Sequence, residues 1–285
     1  MSSLKPGTVV SLTVDHEVPY GFFLTNEIDR VLLHHSEITD DIVEGDTVKV
    51  FLYHDKDVRL TATMRIPKVQ VGAYGWVEVV DKKEDLGVFV NIGLPKDILV
   101  SADDLPKFES LWPNPGDQLF MTLNRDKQDR LYGKLATENI IAQVSRKAPQ
   151  ELLKAKVKGR VYRLLRVGTF FLSEQGYRCF VHESERKAEP RLGELVEGRV
   201  IDVKEDGNLN VSFLPLKQDK MGDDAESILQ YLSMRNGSIP IWDKSQPDEI
   251  KEKLNMSKAA FKRALGKLMK ENIVYQEEGW THLKK

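Results

Sequence analysis

Three Gly-x-Phe segments contain the residues of this chain that are best suited to bind another molecule. They are Gly21-Phe22-Phe23, Gly87-Val88-Phe89 and Gly168-Thr169-Phe170, the last followed by Phe171. Because successive side chains of a strand point to opposite faces, one ring of each Phe-Phe pair should fill a core and the other face outward. An outward aromatic ring can stack on a base of single-stranded nucleic acid, which contributes about 1–3 kcal/mol per base.

Basic residues are concentrated around the third segment. Residues 146–217 contain 15 Lys and Arg against 10 Asp and Glu, a net charge of +5, whereas residues 1–66 contain 6 against 11, a net charge of −5. Residues 67–145 and 218–285 carry −3 and +1, so the whole chain has a formal charge of −2. Neutralising phosphates supplies most non-specific affinity for nucleic acid. The predicted main contact surface is therefore Lys156, Lys158, Arg160, Arg163, Arg166, Phe170, Arg178 and His182.

A second basic set lies near the C-terminus, on a predicted helix that has no acidic residue between Ser257 and Lys270. Its basic residues include Lys258, Lys262, Arg263 and Lys267. In a winged-helix domain this helix would hold the position that reads the major groove of DNA. The alternative is that these residues form an ordinary solvated helix face.

The three Gly-x-Phe segments belong to a unit that occurs three times. Each unit predicts five short strands, rich in β-branched and aromatic residues and punctuated by Gly, Asp or Pro. Five strands in about 60–70 residues suit a small closed barrel such as the OB-fold. We expect barrels over residues 1–66, 67–145 and 146–217, with a helical or extended linker over Thr137–Glu151 and a hinge over Leu216–Gly222.

The last part of the chain, residues 218–285, has the spacing of helices. Apolar residues around Ile228 fall on one helical face, Pro247 suits the first turn of a second helix, and Ser257 can cap a third. Residues 273–283 then predict a hairpin. The predicted fold class is therefore mostly β with a small α/β tail: three tandem OB-type barrels followed by a winged-helix domain.

The three units resemble S1 RNA-binding domains, whose nucleic-acid face carries an aromatic before the glycine, the motif Phe, a His before a Ser, and an Asp four residues before an Arg. The first unit matches at Tyr20, Phe23, His34, Asp55 and Arg59. The second matches at Phe89, Asp126 and Arg130, with Leu86 and Val100 in place of the aromatic and the His. The third matches at Phe170 and His182, with Val167, Lys204 and Asn208 at the other positions. The resemblance implies that the matching aromatic, His and Arg residues contact RNA.

The whole arrangement is similar to the conserved virulence factor B family of bacterial RNA-binding regulators. Three stretches carry the similarity: Lys107-Phe-Glu-Ser-Leu-Trp-Pro, Glu189-Pro-Arg-Leu-Gly, and the basic helix 258–270. The resemblance covers nearly the full chain. It implies binding of single-stranded RNA and post-transcriptional control of gene expression.

Enzymatic activity is not expected, because three barrels and the tail account for nearly the whole chain. The sequence contains no phosphate-binding loop, His-Glu-x-x-His, Gly-x-Ser-x-Gly or Gly-x-Gly-x-x-Gly motif. Its six histidines are scattered and Cys179 is the single cysteine, so we expect neither a metal site nor a cofactor. No apolar run approaches the ~18–20 residues of a membrane span. With no signal peptide visible at the N-terminus, a cytoplasmic location is expected.

Two alternatives to an RNA-binding function stay open. The chain could be a transcription regulator that binds duplex DNA through Lys262, Arg263 and Lys267, although one reader helix has a small electrostatic footprint. It could also be an adaptor whose acidic barrels dock on a basic ribosomal or ribonuclease partner. The RNA hypothesis makes the third barrel and the winged helix one continuous surface. It predicts lost binding without residues 146–285 and little change without residues 1–66.

Overall fold

The residues that this computed structural model describes, 4–215 and 217–284, form three closed five-stranded barrels, four α-helices and a three-stranded sheet. The side chains of residues 217–223 are not described. The chain divides into two units, Met1–Phe213 with the barrels and Leu214–Lys285 with the winged-helix elements. The predicted fold class, three OB-type barrels followed by a winged helix, is confirmed.

The first barrel shows the topology that all three share. Its strands are β1 Val9–Val18, β2 Gly21–Thr25, β3 Arg30–His34, β4 Thr47–His54 and β5 Leu60–Thr63. They follow the order β1-β2-β3-β5-β4, and the parallel pairing of β3 with β5 closes the barrel. Alternation along each strand places Leu24, Leu33 and Val50 fully inside.

The second and third barrels repeat this arrangement. The second is built from β6 Gly75–Lys83, β7 Gly87–Asn91, β8 Ile98–Ser101, β9 Gln118–Arg125 and β10 Leu131–Leu135. The third is built from β11 Lys156–Leu165, β12 Gly168–Ser173, β13 Arg178–His182, β14 Leu195–Val203 and β15 Leu209–Ser212. Each is closed, with the third strand again parallel to the fifth.

The glycine of each Gly-x-Phe motif is required by a close approach between neighbouring strands. A Cβ atom would lie 2.1 Å from the Leu33 carbonyl oxygen at Gly21 and 2.1 Å from the Val100 oxygen at Gly87. At Gly168 it would lie 2.3 Å from the Val181 carbonyl oxygen. Any side chain here would force the strands apart, so the motif fixes the spacing that positions its phenylalanine.

Each barrel also has a bulge at the same place in its first strand. The register shifts across Asp15 in β1, across Val80 in β6 and across Tyr162 in β11. A bulge adds one residue to a strand, bends it and re-aims a side chain. The bulged residue differs in each barrel, and in the third barrel it is Tyr162, whose ring centroid lies 6.2 Å from that of the motif Phe170.

The three barrels pack against one another within the first unit. Phe51 and Tyr53 of the first barrel belong to the same hydrophobic cluster as Val77 and Leu123 of the second. Between the second and third, Arg191 Nε lies 3.0 Å from Asp117 Oδ2, and Leu192 joins the second barrel's cluster. The predicted linker contains helix α1, Glu138–Val144, so the helical one of the two alternatives holds for its first half.

The second unit contains α2 Lys217–Met234, β16 Ser238–Ile239, α3 Pro247–Leu254, α4 Lys258–Lys270, β17 Val274–Glu277 and β18 Trp280–Leu283. Pro247 begins α3 and Ser257 caps α4 by accepting a hydrogen bond from the Ala260 amide, as predicted. Since residues 217–222 are helical, the prediction of a hinge there was wrong. Residue 216, the first position of that predicted hinge, lies outside the described residues.

Candidate nucleic-acid interface

The outer face of the third barrel carries a row of aromatic rings. Phe171 is fully buried and Phe170 is half-buried, so the expected division into an inner and an outer ring is confirmed. The Phe170 ring centroid lies 4.8 Å from that of Phe180 and 6.2 Å from that of Tyr162. The Phe180 ring is 6.4 Å from His182, which extends the row to four rings. We call Tyr162, Phe170, Phe180 and His182 the aromatic row.

Strand register explains why these four rings meet. On β12, Phe170 lies opposite Phe180 of β13 and opposite Arg163 of β11. Alternation along β13 then brings Phe180 and His182 to the same outer face. Tyr162 joins them because it occupies the bulge of β11.

A small hollow of about 190 Å³ lies along the aromatic row, lined among others by Phe170, Phe180, Arg178 and Lys204. Two nearby polar atoms, Nε of Arg178 and Oδ1 of Asn210, are buried and have no hydrogen-bond partner among the described residues. Asn210 lies opposite Phe180 on the parallel strand β15. Because both atoms are buried, neither is open to a ligand while the side chains keep this arrangement.

Glu138 of α1 is the acidic partner of this surface. Its carboxylate bonds to the Arg178 guanidinium, lies 3.2 Å from Arg163 Nη1 and accepts a 3.2 Å hydrogen bond from the Tyr162 hydroxyl. Burial, together with the Glu138 charge, raises the pKa of Tyr162 to about 12. Tyr162 is therefore a neutral hydrogen-bond donor at physiological pH. Glu138 holds this ring and the two guanidinium groups of Arg163 and Arg178 beside it.

The predicted cations of the third barrel fall into separate groups. Arg163 and Arg178 lie beside the aromatic row, and Arg160 lies across from Leu172, two residues from Phe170 on β12. Lys156 and Lys158 occupy the other end of β11, opposite Arg199 and Glu197, and Lys156 Nζ lies 3.1 Å from Glu197. The exposed Arg166 has no acidic partner in the described part of the chain.

The histidines that precede a serine cap short 3-10 turns. Nδ1 of His34 accepts from the Ser36 amide and that of His182 from the Ser184 amide, both at 3.2 Å. Ser101 does the same in the second barrel. It also lies opposite Gly87 as the two histidines lie opposite Gly21 and Gly168. The residue that replaces the His is therefore Ser101, and assigning Val100 to that position was wrong.

The matching face of the first barrel is aromatic but has its charges paired. Tyr20 is 49% exposed, and the ring of Phe23 lies 5.3 Å from that of His16. Arg59 makes ion pairs of 2.8 Å with both Asp55 and Asp57. Its guanidinium already has two carboxylate partners, so it offers little net charge to a phosphate.

In the second barrel, the corresponding face lies against residues of the first barrel. Phe89 and Arg130 line a pocket of about 280 Å³ together with Tyr53 and His54 of the first barrel. Arg130 Nε also lies 2.7 Å from Asp126. The neighbouring barrel thus covers part of the predicted ring, while the side chain of Arg130 remains 63% exposed.

Helix α4 presents its basic residues unevenly. Lys262 and Arg263 are exposed, and neither has an acidic partner within residues 4–215 and 217–284. Lys267 is half-buried, and Lys258 Nζ lies 3.4 Å from the Lys244 carbonyl oxygen. The opposite face of the helix packs Phe261 and Leu265 in the core of the second unit.

Three further features bear on other kinds of function: metal binding, cysteine reactivity and membrane insertion. The described residues contain no group of three or more His, Cys, Asp and Glu placed to hold a metal ion. Cys179 is buried, and burial raises the pKa of its thiol well above the ordinary range, which disfavours the reactive thiolate. None of the described helices is long and apolar enough to cross a membrane.

Sequence reasoning missed Phe180, Tyr162 and Glu138. Phe180 could have been found, because it precedes the outward His182 by two positions on the same strand. The roles of Tyr162 and Glu138 depend on a bulge and on the placement of a linker helix. Neither leaves a local sequence signal.

Comparison with family models gives a match for each domain. A CvfB first S1-like domain matches residues 74–134, and the second domain of virulence regulatory factor CvfB matches residues 141–215. A CvfB-like winged helix domain matches residues 226–283, and a general S1 domain matches residues 6–65.

Individual proteins match over nearly the whole chain. The Bacillus subtilis protein YitL is 54% identical over 99% of this chain and 95% of its own length. Conserved virulence factor B of Staphylococcus aureus is 43% identical over 90% of this chain and 86% of its own. A crystal structure of a multidomain protein with nucleic acid binding domains from Streptococcus pneumoniae superposes with a TM-score of 0.69, at 37% identity and 98% coverage of both chains.

Proposed function

The chain belongs to the conserved virulence factor B family, and from this premise we propose that it is a non-catalytic, cytoplasmic binder of single-stranded RNA that acts in post-transcriptional regulation. The third barrel is the main contact surface in this proposal, and the winged-helix unit contributes to binding. S1-like domains and a winged helix are both nucleic-acid-binding folds. The Streptococcus pneumoniae protein, whose structure is similar, is itself described as having nucleic acid binding domains.

The aromatic row of the third barrel is the observation that carries this proposal. Unpaired bases can stack on exposed rings, whereas the bases of a duplex cannot reach them. Phe170 and Phe180 lie 4.8 Å apart at an angle of 43°, so they form one surface rather than two separate contacts.

Charge favours the same barrel. Residues 146–217 have 15 basic and 10 acidic side chains, a net charge of +5. Arg163 lies opposite Phe170 on β11, and the exposed Arg166 follows in the turn that leads to β12. A phosphate backbone passing the rings would meet these guanidinium groups and displace counterions, which supplies affinity that depends on salt.

Fluorescence anisotropy with the full chain tests the proposal. The probes are a short single-stranded RNA, the same sequence as DNA, and the duplex DNA, each at two salt concentrations. We expect the tightest binding with RNA, weaker binding at higher salt, and a loss of affinity for Phe170→Ala. Phe170→Tyr, which keeps a ring, serves as the matched control and should retain binding.

The other outcomes point to other functions. If RNA and single-stranded DNA bind no better than the duplex, single-strand recognition is ruled out. If none of the three probes binds, the adaptor hypothesis becomes the leading one, with a basic ribosomal or ribonuclease protein as the partner to search for.

A second candidate function is binding of duplex DNA through α4. It is supported by the exposed Lys262 and Arg263, which have no acidic partner within the described ranges and stand on the recognition helix of a winged-helix fold. In the same assay, this function predicts the tightest binding with duplex DNA and its loss in a Lys262→Ala, Arg263→Ala double variant.

A further inference from the structure

The sheet of the second unit has three aromatic side chains on its outer face. Tyr275 of β17 lies opposite His282 of β18, and Trp280 precedes His282 by two positions on the same strand. The Tyr275 and His282 rings are 5.0 Å apart at an interplanar angle of 26°. The Trp280 and His282 rings are 6.5 Å apart at 20°. The three rings are thus nearly parallel, and we call them the wing platform.

Packing of the unit's core does not explain these rings. The inward residues of the two strands are Val274 and Thr281, which are 2% and 0% exposed. Tyr275 and Trp280 remain 39% and 43% exposed, and neither belongs to the hydrophobic core of the second unit. Two large aromatic side chains side by side in water are costly unless a partner covers them.

The central ring, His282, is held in place by the neighbouring strand β16. Nδ1 of His282 lies 2.8 Å from the Ser238 hydroxyl, and Ser238 lies opposite His282 on β16. The imidazole is therefore fixed between two larger rings by the third strand of the sheet. A platform whose rings are already ordered binds without the entropic cost of arranging them.

The polar surroundings favour a ligand with negative charge on one side. An open hollow beside Tyr275 and His282 is lined by Ser233, Asn236 and Lys284, and no carboxylate lines it among the described residues. Lys284 Nζ bonds to the neutral Asn272 side chain at 2.6 Å, so its charge is not cancelled there. The acidic residues are at the other end of the platform, where Glu277 lies opposite Trp280 on β17 and Glu278 follows in the hairpin turn.

We propose that the wing platform is a second stacking site for single-stranded RNA, taking two or three unpaired bases on Tyr275, His282 and Trp280 while the phosphates pass on the Lys284 side. The site is separate from the basic face of α4. From the sequence alone, all nucleic-acid binding by the second unit is expected on that face. It rests on the proposed function, since the ligand is the same RNA. Sheet aromatics that stack two or three bases are a known solution for recognising unpaired RNA.

Oligoadenylate, whose bases stack well and carry no duplex structure, is the probe. Binding to the full chain is followed by anisotropy and by the chain's own tryptophan fluorescence. The variants are Trp280→Ala, Tyr275→Ala and Trp280→Phe, the last of which keeps a ring but removes the indole. Trp242→Phe is the matched fluorescence control because Trp242 lies outside the platform.

We expect Trp280→Ala and Tyr275→Ala each to weaken binding about five- to tenfold, within the range of one lost base stack. Trp280→Phe should bind within about twofold of the parent protein, because its ring still stacks. Oligoadenylate should quench the fluorescence of the parent protein and of Trp242→Phe, but much less that of Trp280→Phe.

Failure of this proposal is distinguishable from failure of the proposed function. If the parent protein binds no RNA, both are overturned. If Phe170→Ala weakens binding while Trp280→Ala does not, and no quenching belongs to Trp280, the wing platform alone is overturned. If Trp280→Phe loses as much affinity as Trp280→Ala, stacking is not the cause and the proposal fails. Thermal melting of each variant identifies any that does not fold.

Discussion

The first and third barrels have the same backbone and different outer surfaces. Both have a glycine that a Cβ would clash with, a bulge in the first strand and a histidine that caps the following turn. Opposite the motif phenylalanine, however, the first barrel has Leu32 where the third has Phe180. The bulge holds Asp15 in the first barrel and Tyr162 in the third.

In the proposed function, these two differences explain why the third barrel, and not the first, is the main RNA contact. In the first barrel, Asp15 pairs with Arg30 at 3.0 Å and lies 2.9 Å from Nδ1 of His16, whose ring is 5.3 Å from that of Phe23. In the third barrel, the rings of Tyr162 and Phe180 lie beside that of Phe170, so the motif ring is part of a row. The motif and its backbone therefore build a site of the right shape in both barrels. The residues around the motif determine whether that shape suits a charged, single-stranded ligand.

Each barrel has one buried motif ring, one residue after the glycine in the first barrel and three residues after it in the third, and removing either ring should have the largest effect of all. Phe171 and Phe22 both fill a barrel interior, at 0% and 9% exposure. We expect Phe171→Ala and Phe22→Ala each to lower the free energy of unfolding by about 3–5 kcal/mol, because each leaves a cavity. Chemical denaturation followed by circular dichroism measures this. A much smaller loss in either barrel would mean that its core is not built around the inner ring.

The outer positions should show the difference. Phe180→Leu, which gives the third barrel the residue of the first, should weaken RNA binding by about 1–3 kcal/mol, because one stacking surface is lost. Leu32→Ala, at the matching position of the first barrel, should change the affinity little. Anisotropy with a single-stranded RNA compares the two.

The reciprocal change sharpens this test. Leu32→Phe builds a ring beside Phe23 but leaves Asp15 and the paired Arg59 in place. If that change alone made the first barrel bind RNA as well as the third, the surrounding charge would have no influence. The number of aromatic rings would then be the whole difference between the two surfaces.

The sequence predicted the parts of this picture that have a local cause. Repeats of Gly-x-Phe predicted three barrels, and the spacing of Pro247 and Ser257 predicted α3 and α4, because turn and cap chemistry depends on a few adjacent residues. The prediction that Val100 stands at the position of the His was wrong, because the register of paired strands depends on contacts over the whole barrel. Glu138 could not be placed at all, because its contacts with Arg163 and Arg178 join residues far apart in sequence.

Glu138 allows the electrostatic part of the comparison to be tested. Its carboxylate neutralises guanidinium groups beside the aromatic row, so it competes with an approaching phosphate. Glu138→Gln removes the charge and keeps the hydrogen-bonding shape. We expect tighter RNA binding at low salt by about 1 kcal/mol, the value of a unit charge pair about 4 Å apart in water. Glu151→Gln, an exposed change in the same linker region, is the matched control and should have little effect.

The smallest expected effect concerns single cations on the two surfaces. Arg166 has no acidic partner in the described segments, whereas Arg59 is paired with Asp55 and Asp57. A residue that contacts a phosphate of single-stranded RNA adds about 0.7 to the slope of log affinity against log salt concentration. Arg166→Gln should therefore reduce that slope by about this amount, and Arg59→Gln should leave it unchanged. Equal reductions would mean that the strand crosses both barrels, and the first barrel would then have to be counted as part of the RNA surface despite its charge.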